Sequence, residues 1–480
     1  MGILLPTCTI FPPPCLVSEQ QHPESGGSAD KQFYETSSLY SQPSLPSLPS
    51  LTTSNSLNNS DKRESLQASP PYYYCLSTLK GHSSYVFSLA LAGKFLYSGS
   101  ANGEIRLWHA HTPDQSSYPE VSNIVAVAHL GAIKSMVVMN IHNNNSVYDK
   151  LFTAHQEQRI RVWRVGTDQA GGGGGHHQRY KLLATLPTLR DRVLRYLPPK
   201  NHVQVRRHKK CTWVHHVDAV SALALSRDGS TLYSASWDRS FKVWRTSADF
   251  ACLESVNNAH DDAINAIALS PDGFLYTGSA DTKIKVWRRS SPSTDNEKNK
   301  NKKNNHHHKQ RHSLVATLEK HRSAINALAL SSDGSVLYSG ACDRSIVVWE
   351  TRETGAGDQG SSHMAVVGAL RGHTRAILCL AVAEDDLLLS GSADKTVRIW
   401  RRGQNKSEYC CLGVLEGHRG PVKCLTVASQ RHPFHHHHHH DNDNDNNNKG
   451  RSSSTSSTGY TVYSGSMDCD IKVWQLSLGS

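Results

Sequence analysis

SADTKIKVW, residues 279–287, is a turn followed by a short apolar strand: Asp281 sits in the turn and Trp287 closes the strand six residues later. The same spacing returns along the chain. Trp108, Trp163, Trp244, Trp287, Trp349, Trp400 and Trp474 follow Asn102, Glu157, Asp238, Asp281, Asp343, Asp394 and Asp468 by six residues in each case. Upstream stand His82, His129, His216, His260, His321, His373 and His418, and four residues after each comes Val or Ile, opening an apolar run such as AINAIALSPDG. Self-similarity at a fixed period marks stacked structural repeats.

Each repeat carries four strand signals. AINALAL, VLYSGAC, SIVVW and SLVATL are short and β-branched or aromatic, and polar turn residues such as Ser-Asp-Gly separate them, the pattern of antiparallel strands joined by tight turns. One such sheet leaves both faces uncovered. Seven sheets packed radially cover one another and leave only short edges. Within a blade, the turn Asp accepts from a His imidazole, the imidazole bonds a strand hydroxyl, and the hydroxyl bonds the indole N–H, so every polar group is satisfied.

With these motifs in place (KGH and SANGEIRLW, RGH and SADKTVRIW, EGH and SMDCDIKVW), residues 72–480 resemble the WD-repeat β-propellers. The resemblance implies an all-β, seven-bladed propeller, and the seven His, Asp and Trp sets are read as structural and not catalytic, since they satisfy one another inside the blades. Asn102 in blade one and Glu157 in blade two, the latter beside His155, depart from the pattern and predict weaker networks there. The chain reaches Ser480 just after the third strand of blade seven, whereas YCLSTL (Tyr74–Leu79) reads as a fourth strand with no companions. It is predicted to complete the last blade. Residues 1–71, with SQPSLPSLPSLTTSNSLNNS, are rich in Ser, Pro and Asn and predict a disordered tail.

The start MGILLPTCTIFPPPCL lacks the basic flank and apolar length of a signal peptide, and no stretch reaches membrane-spanning length. A soluble protein, cytoplasmic and/or nuclear, is expected. The 11 cysteines contain no C-x-x-C pair, and Cys342, Cys379 and Cys424 fall where small apolar residues would fit, so they are expected to be reduced and buried.

Insertions fall unevenly on the two faces. Low-complexity loops at 166–179, 290–312, 351–363 and 429–459 share one face and read as solvated fringe. His435–His440 followed by DNDNDNNN has no fixed geometry that would select a metal, and no metal or other cofactor is expected. On the opposite face the long insertion is PTLRDRVLRYLPPKNHVQVRRHKKCTWVH. Leu189, Val193, Leu194 and Leu197 lie on one side of a short helix stopped by Pro198 and Pro199, and HVQV alternates like a strand. Residues 188–213 hold Arg190, Arg192, Arg195, Lys200, Arg206, Arg207, Lys209 and Lys210 against the single acid Asp191. This insertion, together with the Ser/Pro-rich tail, resembles the JINGUBANG-type WD-repeat proteins of plants, which implies a regulatory scaffold with links to plant growth and pollen control.

The expected partner-binding residues are Tyr85, Lys134 and Lys423 at the channel rim, Trp237 at a turn, and Arg190, Arg192, Arg195, Arg206, Arg207, Lys209 and Lys210 in the insertion; Asn265 and Asn326 also start inner strands at the rim. The insertion reads equally as a cap packing its leucines over blades two and three. A large aromatic at an exposed turn is either packed or a partner hot spot. The leading reading is a non-enzymatic adaptor, a monomer, that holds an acidic peptide or a regulatory protein such as a transcription factor. Two alternatives stand beside it. YSGACDRSIVVWETR resembles the DWD box of substrate receptors for cullin-type ubiquitin ligases, with Arg352 in the docking position but Glu350 where Asp is usual. The basic insertion and the net charge of +11 point to nucleic acid, although no aromatic stacking surface accompanies the KNKNKK run. No membrane partner is expected, and no nucleophile or paired carboxylate outside the repeats supports an enzyme.

Overall fold

The computed structural model describes residues 48–52, 72–110, 123–126, 131–143, 146–167, 178–196, 202–206, 209–289, 311–353, 362–383, 387–403, 408–430 and 458–478. They form seven four-stranded antiparallel sheets arranged as a propeller. Blade three is representative, with Val220–Leu225 innermost, then Thr231–Ser236, Phe241–Arg245 and Cys252–Val256 outermost. Blade seven takes three strands from the C-terminal end, Val422–Gln430, Thr458–Ser466 and Ile471–Leu478, and its fourth from Tyr72–Leu79. That closing strand runs antiparallel to Ile471–Leu478, with Leu79 opposite Ile471 and Tyr72 opposite Ser477.

The inner strand of every blade opens on a fully buried β-branched residue: Val86, Ile133, Val220, Ile264, Ile325, Ile377 or Val422. Each is a wedge into the preceding blade. A Cβ on Gly340 would stand 2.5 Å from Ile377 Cγ2, and one on Gly465 would stand 2.8 Å from Val86 Cγ1, where blade seven meets blade one. The second strands therefore carry a small residue at this position, glycine in five blades and Ala154 and Ala235 in blades two and three, and the small side chain is what lets the next blade approach. Blade-to-blade cores alternate around the ring in the same way, for instance Tyr276, Ile284 and Val286 of blade four against Leu337, Val347 and Trp349 of blade five.

Side chains stitch neighbouring inner strands. Ser221 Oγ donates to the Ile264 carbonyl (2.5 Å), Asn265 Nδ2 to that of Ile325 (2.9 Å) and Asn326 Nδ2 to that of Ile377 (2.8 Å). Asn265 and Asn326 thus help to hold neighbouring blades together. The thiols of Cys379 and Cys424 continue the ring toward the carbonyls of Val422 (3.6 Å) and Val86 (3.8 Å). Burial pushes the Cys379 thiol up to about 12 and that of Cys424 well above the usual thiol range, so both remain protonated donors. Cys342, at the turn of blade five, is disulfide-bonded, contrary to the expectation of reduced thiols throughout.

Leu48–Thr52, within the tail expected to be disordered, is seated between the outer strands of blades five (Ser362–Leu370) and six (Tyr409–Leu415) through bridges Ser50↔Ala369 and Thr52↔Tyr409. The rest of the tail, the centres of the four low-complexity loops and the histidine run lie outside the described residues.

Candidate functional site

The repeated polar sets resolve first, because they decide which side chains are spent on structure. In blade four His260 Nδ1 donates to Asp281 Oδ2 (2.8 Å), and Thr277 Oγ1 donates to Nε2 (2.8 Å) while accepting from Trp287 Nε1 (3.0 Å). Blades three, five, six and seven repeat this with His216, Asp238, Ser234 and Trp244; His321, Asp343, Ser339 and Trp349; His373, Asp394, Ser390 and Trp400; and His418, Asp468, Ser464 and Trp474. Each aspartate also caps backbone. Asp281 takes the N–H groups of Asp261 and Lys283, the latter just past Thr282, which sits at φ +72°. The caps hold a three-residue hairpin loop whose last residue is left-handed in every blade, although only blade one supplies glycine there, Gly103.

The two departing blades are rewired. In blade one His82 bonds Ser98 Oγ (2.6 Å), which accepts from Trp108 (2.7 Å), but the acid is Glu104, 3.5 Å from His82 Nδ1, while Asn102 turns to Ser83 (2.9 Å). In blade two Thr153 Oγ1 meets Trp163 Nε1 (3.0 Å) and His155 Nε2 (2.8 Å), and Glu157 pairs with Arg161. His155 thus holds the hydroxyl that the upstream histidine holds elsewhere; His129 itself lies outside the described residues.

The channel mouth is different in kind. The seven equivalent positions that follow the wedge residues are Phe87, Lys134, Ser221, Asn265, Asn326, Leu378 and Lys423. Three of them stitch blades, whereas Lys423, Phe87 and Lys134 form a continuous arc over blades seven, one and two. Lys134 Nζ lies 4.8 Å from the Phe87 ring centroid and 5.1 Å from that of Trp237, so the ammonium is held between two aromatic faces. Burial, reinforced by the charge of Lys423, brings Lys134 down to about 8; burial lowers Lys423 as well. Tyr85, 41% exposed, stands over Phe87 with ring centroids 6.3 Å apart. Trp237 is therefore packed on the mouth and also forms its wall.

Around this mouth, the loops after the histidines and the hairpin turns place exposed Arg322, Arg344, Arg375, Lys395 and Arg419 on blades five to seven. The sequence reading missed this basic arc, because its members lie tens of residues apart and only ring closure makes them neighbours. Blade four opposes it with exposed Asp261 and Asp262.

The insertion between blades two and three forms a helix, Leu189–Tyr196, and a hairpin, His202–Arg206 with Lys209–Thr212. Thr188 caps the helix, accepting from Asp191 N (3.2 Å) and donating to the Asp191 carboxylate (3.1 Å). Buried Lys242 ties the far end down by donating to the Trp213 carbonyl (2.7 Å). Leu189 and Val193 are 76% and 61% exposed, so these two do not pack down on the blades as the cap reading has it. Arg190 is exposed; Arg192, Arg195, Arg206, Lys209 and Lys210 lie on the helix and hairpin, and Arg207 lies outside the described residues. Arg352 is exposed near the end of Ile346–Glu353, on the opposite face, and Glu350 is ion-paired with Arg402 of blade six.

Six stretches, 73–109, 208–245, 251–288, 312–350, 364–401 and 449–475, match the family model for the WD domain, G-beta repeat. The chain is a WD-repeat β-propeller. Its relatives include the 66 kDa stress protein of Physarum polycephalum, 24% identical over 67% of this chain and 47% of that protein. Protein ROOT INITIATION DEFECTIVE 3 of Arabidopsis thaliana is 31% identical over 39% of this chain and 40% of its own length. Ribosome biogenesis protein WDR12 homolog of Drosophila erecta is 26% identical over 38% and 41%. This chain spans less than half the length of each of them. WD-repeat propellers serve as scaffolds for protein interaction, and among the described residues no helix is long and apolar enough to cross a membrane.

Proposed function

We propose that this WD-repeat propeller is a non-enzymatic adaptor that holds an acidic segment of a regulatory protein over the channel mouth, working in the cytoplasm, the nucleus or both. One observation carries the reading: Lys134 is kept between Phe87 and Trp237 beside Lys423, at a cost that burial and like charge impose on the free protein. An incoming carboxylate offsets that cost, and the basic arc of blades five to seven steers its approach. The insertion extends the same face and adds contacts through Arg190 and the hairpin. Its resemblance to JINGUBANG-type proteins supports a regulatory role in plant growth, and one similar protein is named for root initiation in a plant.

Quantitative affinity capture from matched extracts tests this, using wild type, Lys134→Gln with Lys423→Gln, Trp237→Ala, and a variant with Arg206, Arg207, Lys209 and Lys210 all changed to Glu. Circular dichroism verifies that each folds. The mouth variants are expected to lose the same acidic partners. A partner set that survives them and disappears only from the insertion variant would move the site to the insertion, and a set unchanged in all variants would overturn the reading.

A further inference from the structure

The piece Leu48–Thr52 is seated in a built cleft, away from the channel. Pro49 O accepts from Ala369 N (3.0 Å), Leu51 N donates to Ala369 O (3.0 Å), and Leu51 O accepts from Tyr409 N (3.0 Å), so one extended segment bonds the outer strands of two blades at once. Its two leucines enter different cores. Leu51, 9% exposed, joins Tyr338, Leu370 and Tyr409, and Leu48 packs on the cluster shared by blades four and five. The floor of the cleft is Gly368, where a Cβ would fall 2.6 Å from Leu51 Cγ and 2.8 Å from Pro49 O. Opposite the residue before each repeat tryptophan, the outer strands of blades two, three and four carry Ala184, Glu254 and Ala316, whereas blades five and six carry Gly368 and Gly413. Gly413 lies under the ring of Tyr73 from the closing strand, at 2.4 Å from a hypothetical Cβ. Glycine thus occurs where the N-terminal chain crosses.

We propose that the cleft between blades five and six is a binding site for an extended, uncharged Leu-Pro-Ser-Leu segment. It is occupied here by the chain's own tail as a displaceable tenant, and a protein carrying such a segment docks by taking its place. The hold is slight beside that of the closing strand: three backbone hydrogen bonds and two leucines, against seven paired positions for Tyr72–Leu79. Occupancy is maintained because residues 53–71 join the segment covalently to the closing strand, and a covalent link of that length supplies an effective concentration on the order of millimolar. The tail repeats its signal as Pro43-Ser44-Leu45, Pro46-Ser47-Leu48 and Pro49-Ser50-Leu51, so a slip of three residues presents an equivalent pair, Leu45 and Leu48.

The test uses the full chain and a fluorescein-labelled peptide PSLPSLPSLTTS, residues 43–54. Leu51→Ser alone permits the slipped register, so the cleft is emptied with Leu45→Ser, Leu48→Ser and Leu51→Ser together. The triple variant is expected to bind the peptide saturably, at a concentration at least about 10-fold below that needed with wild type, whose tether competes. The amides of Ala369 and Tyr409 should exchange faster in the triple variant and slow again on peptide addition, and Gly368→Val added to it should abolish binding. A folded triple variant that ignores the peptide, or binds it equally with Gly368→Val, overturns the site. If the triple variant fails to fold, Gly368→Val in the wild-type chain reads the same seat: unchanged exchange at Ala369 and Tyr409 overturns the proposal. A wild-type dimer that the leucine changes convert to monomer would assign the tenant to a second copy and overturn the tethered occupant.

Discussion

Asp281 and Glu157 occupy the same position of the repeat and do different work. Asp281 is nearly buried and accepts from an imidazole and two backbone N–H groups; burial pushes its carboxyl up, but the hydrogen bond and charge of His260 outweigh this and bring it to about 2. Glu157 is about one-third exposed and meets a single arginine. A hydrogen bond to a charged group contributes about 1.5–3 kcal/mol, and Asp281 accepts three of them whereas Glu157 meets one partner, the buried guanidinium of Arg161. Thermal melts followed by circular dichroism are therefore expected to show Asp281→Ala costing more than Glu157→Ala, by about 1 kcal/mol. Equal losses would count against this ranking. Acid acts on the two network members in separate windows. Asp281 has a folded value below its unfolded one, so its contribution is intact above about pH 4 and lost as pH falls toward 2. Burial lowers His82 from 6.5 to about 4, so the folded state binds its proton less readily, and stability falls as pH drops from about 6.5 to 4. The melting temperature of His82→Gln should depend less on pH across that window than that of wild type.

At the scale of elements, two N-terminal segments do unequal jobs. Tyr72–Leu79 completes a sheet, and without it Ile471–Leu478 would present an open edge able to pair with another chain. Deleting residues 72–80 is expected to give insoluble protein, and a soluble, monodisperse deletion on size-exclusion chromatography would sink that assignment. Leu48–Thr52 adds no strand to a sheet and bridges two that are already complete. That difference explains what could be read in advance. YCLSTL reads as the fourth strand of a blade, whereas the Pro-Ser-Leu repeat has neither a strand nor a helix period, and its Leu51 is seated where Gly368 leaves room on a surface more than 300 residues away in sequence. The helix of the insertion was legible from its apolar spacing and the prolines after it. Its outward-facing Leu189 and Val193 were not, since spacing puts residues on a common face without saying where that face points.

For the whole molecule, closure of the ring turns scattered charges into a surface. Lys423 and Lys134 are 289 residues apart and become neighbours across blade one, near enough that the charge of Lys423 disfavours that of Lys134. Binding of an acidic segment at the mouth is thus linked to protonation of Lys134. With Lys134 of the free protein at about 8, affinity for an acidic peptide should weaken as pH rises from 7 to 9, and Lys134→Met should bind more weakly and with less of that dependence, as isothermal titration would show. The nucleic-acid alternative has its own signature, a steep fall in affinity with rising salt that tracks the number of phosphates neutralised.

The sequence by itself determined the blade count, the polar network and the strand that closes the ring, because each depends on residues a few positions apart repeating at a fixed period. Only the tertiary structure decided that Glu104 and His155 stand in for missing partners, that Asn265 and Asn326 are stitches, and that Lys134 lies between Phe87 and Trp237. Those outcomes depend on which blade each residue faces after the ring has closed, and a local pattern carries no information about distances across the ring.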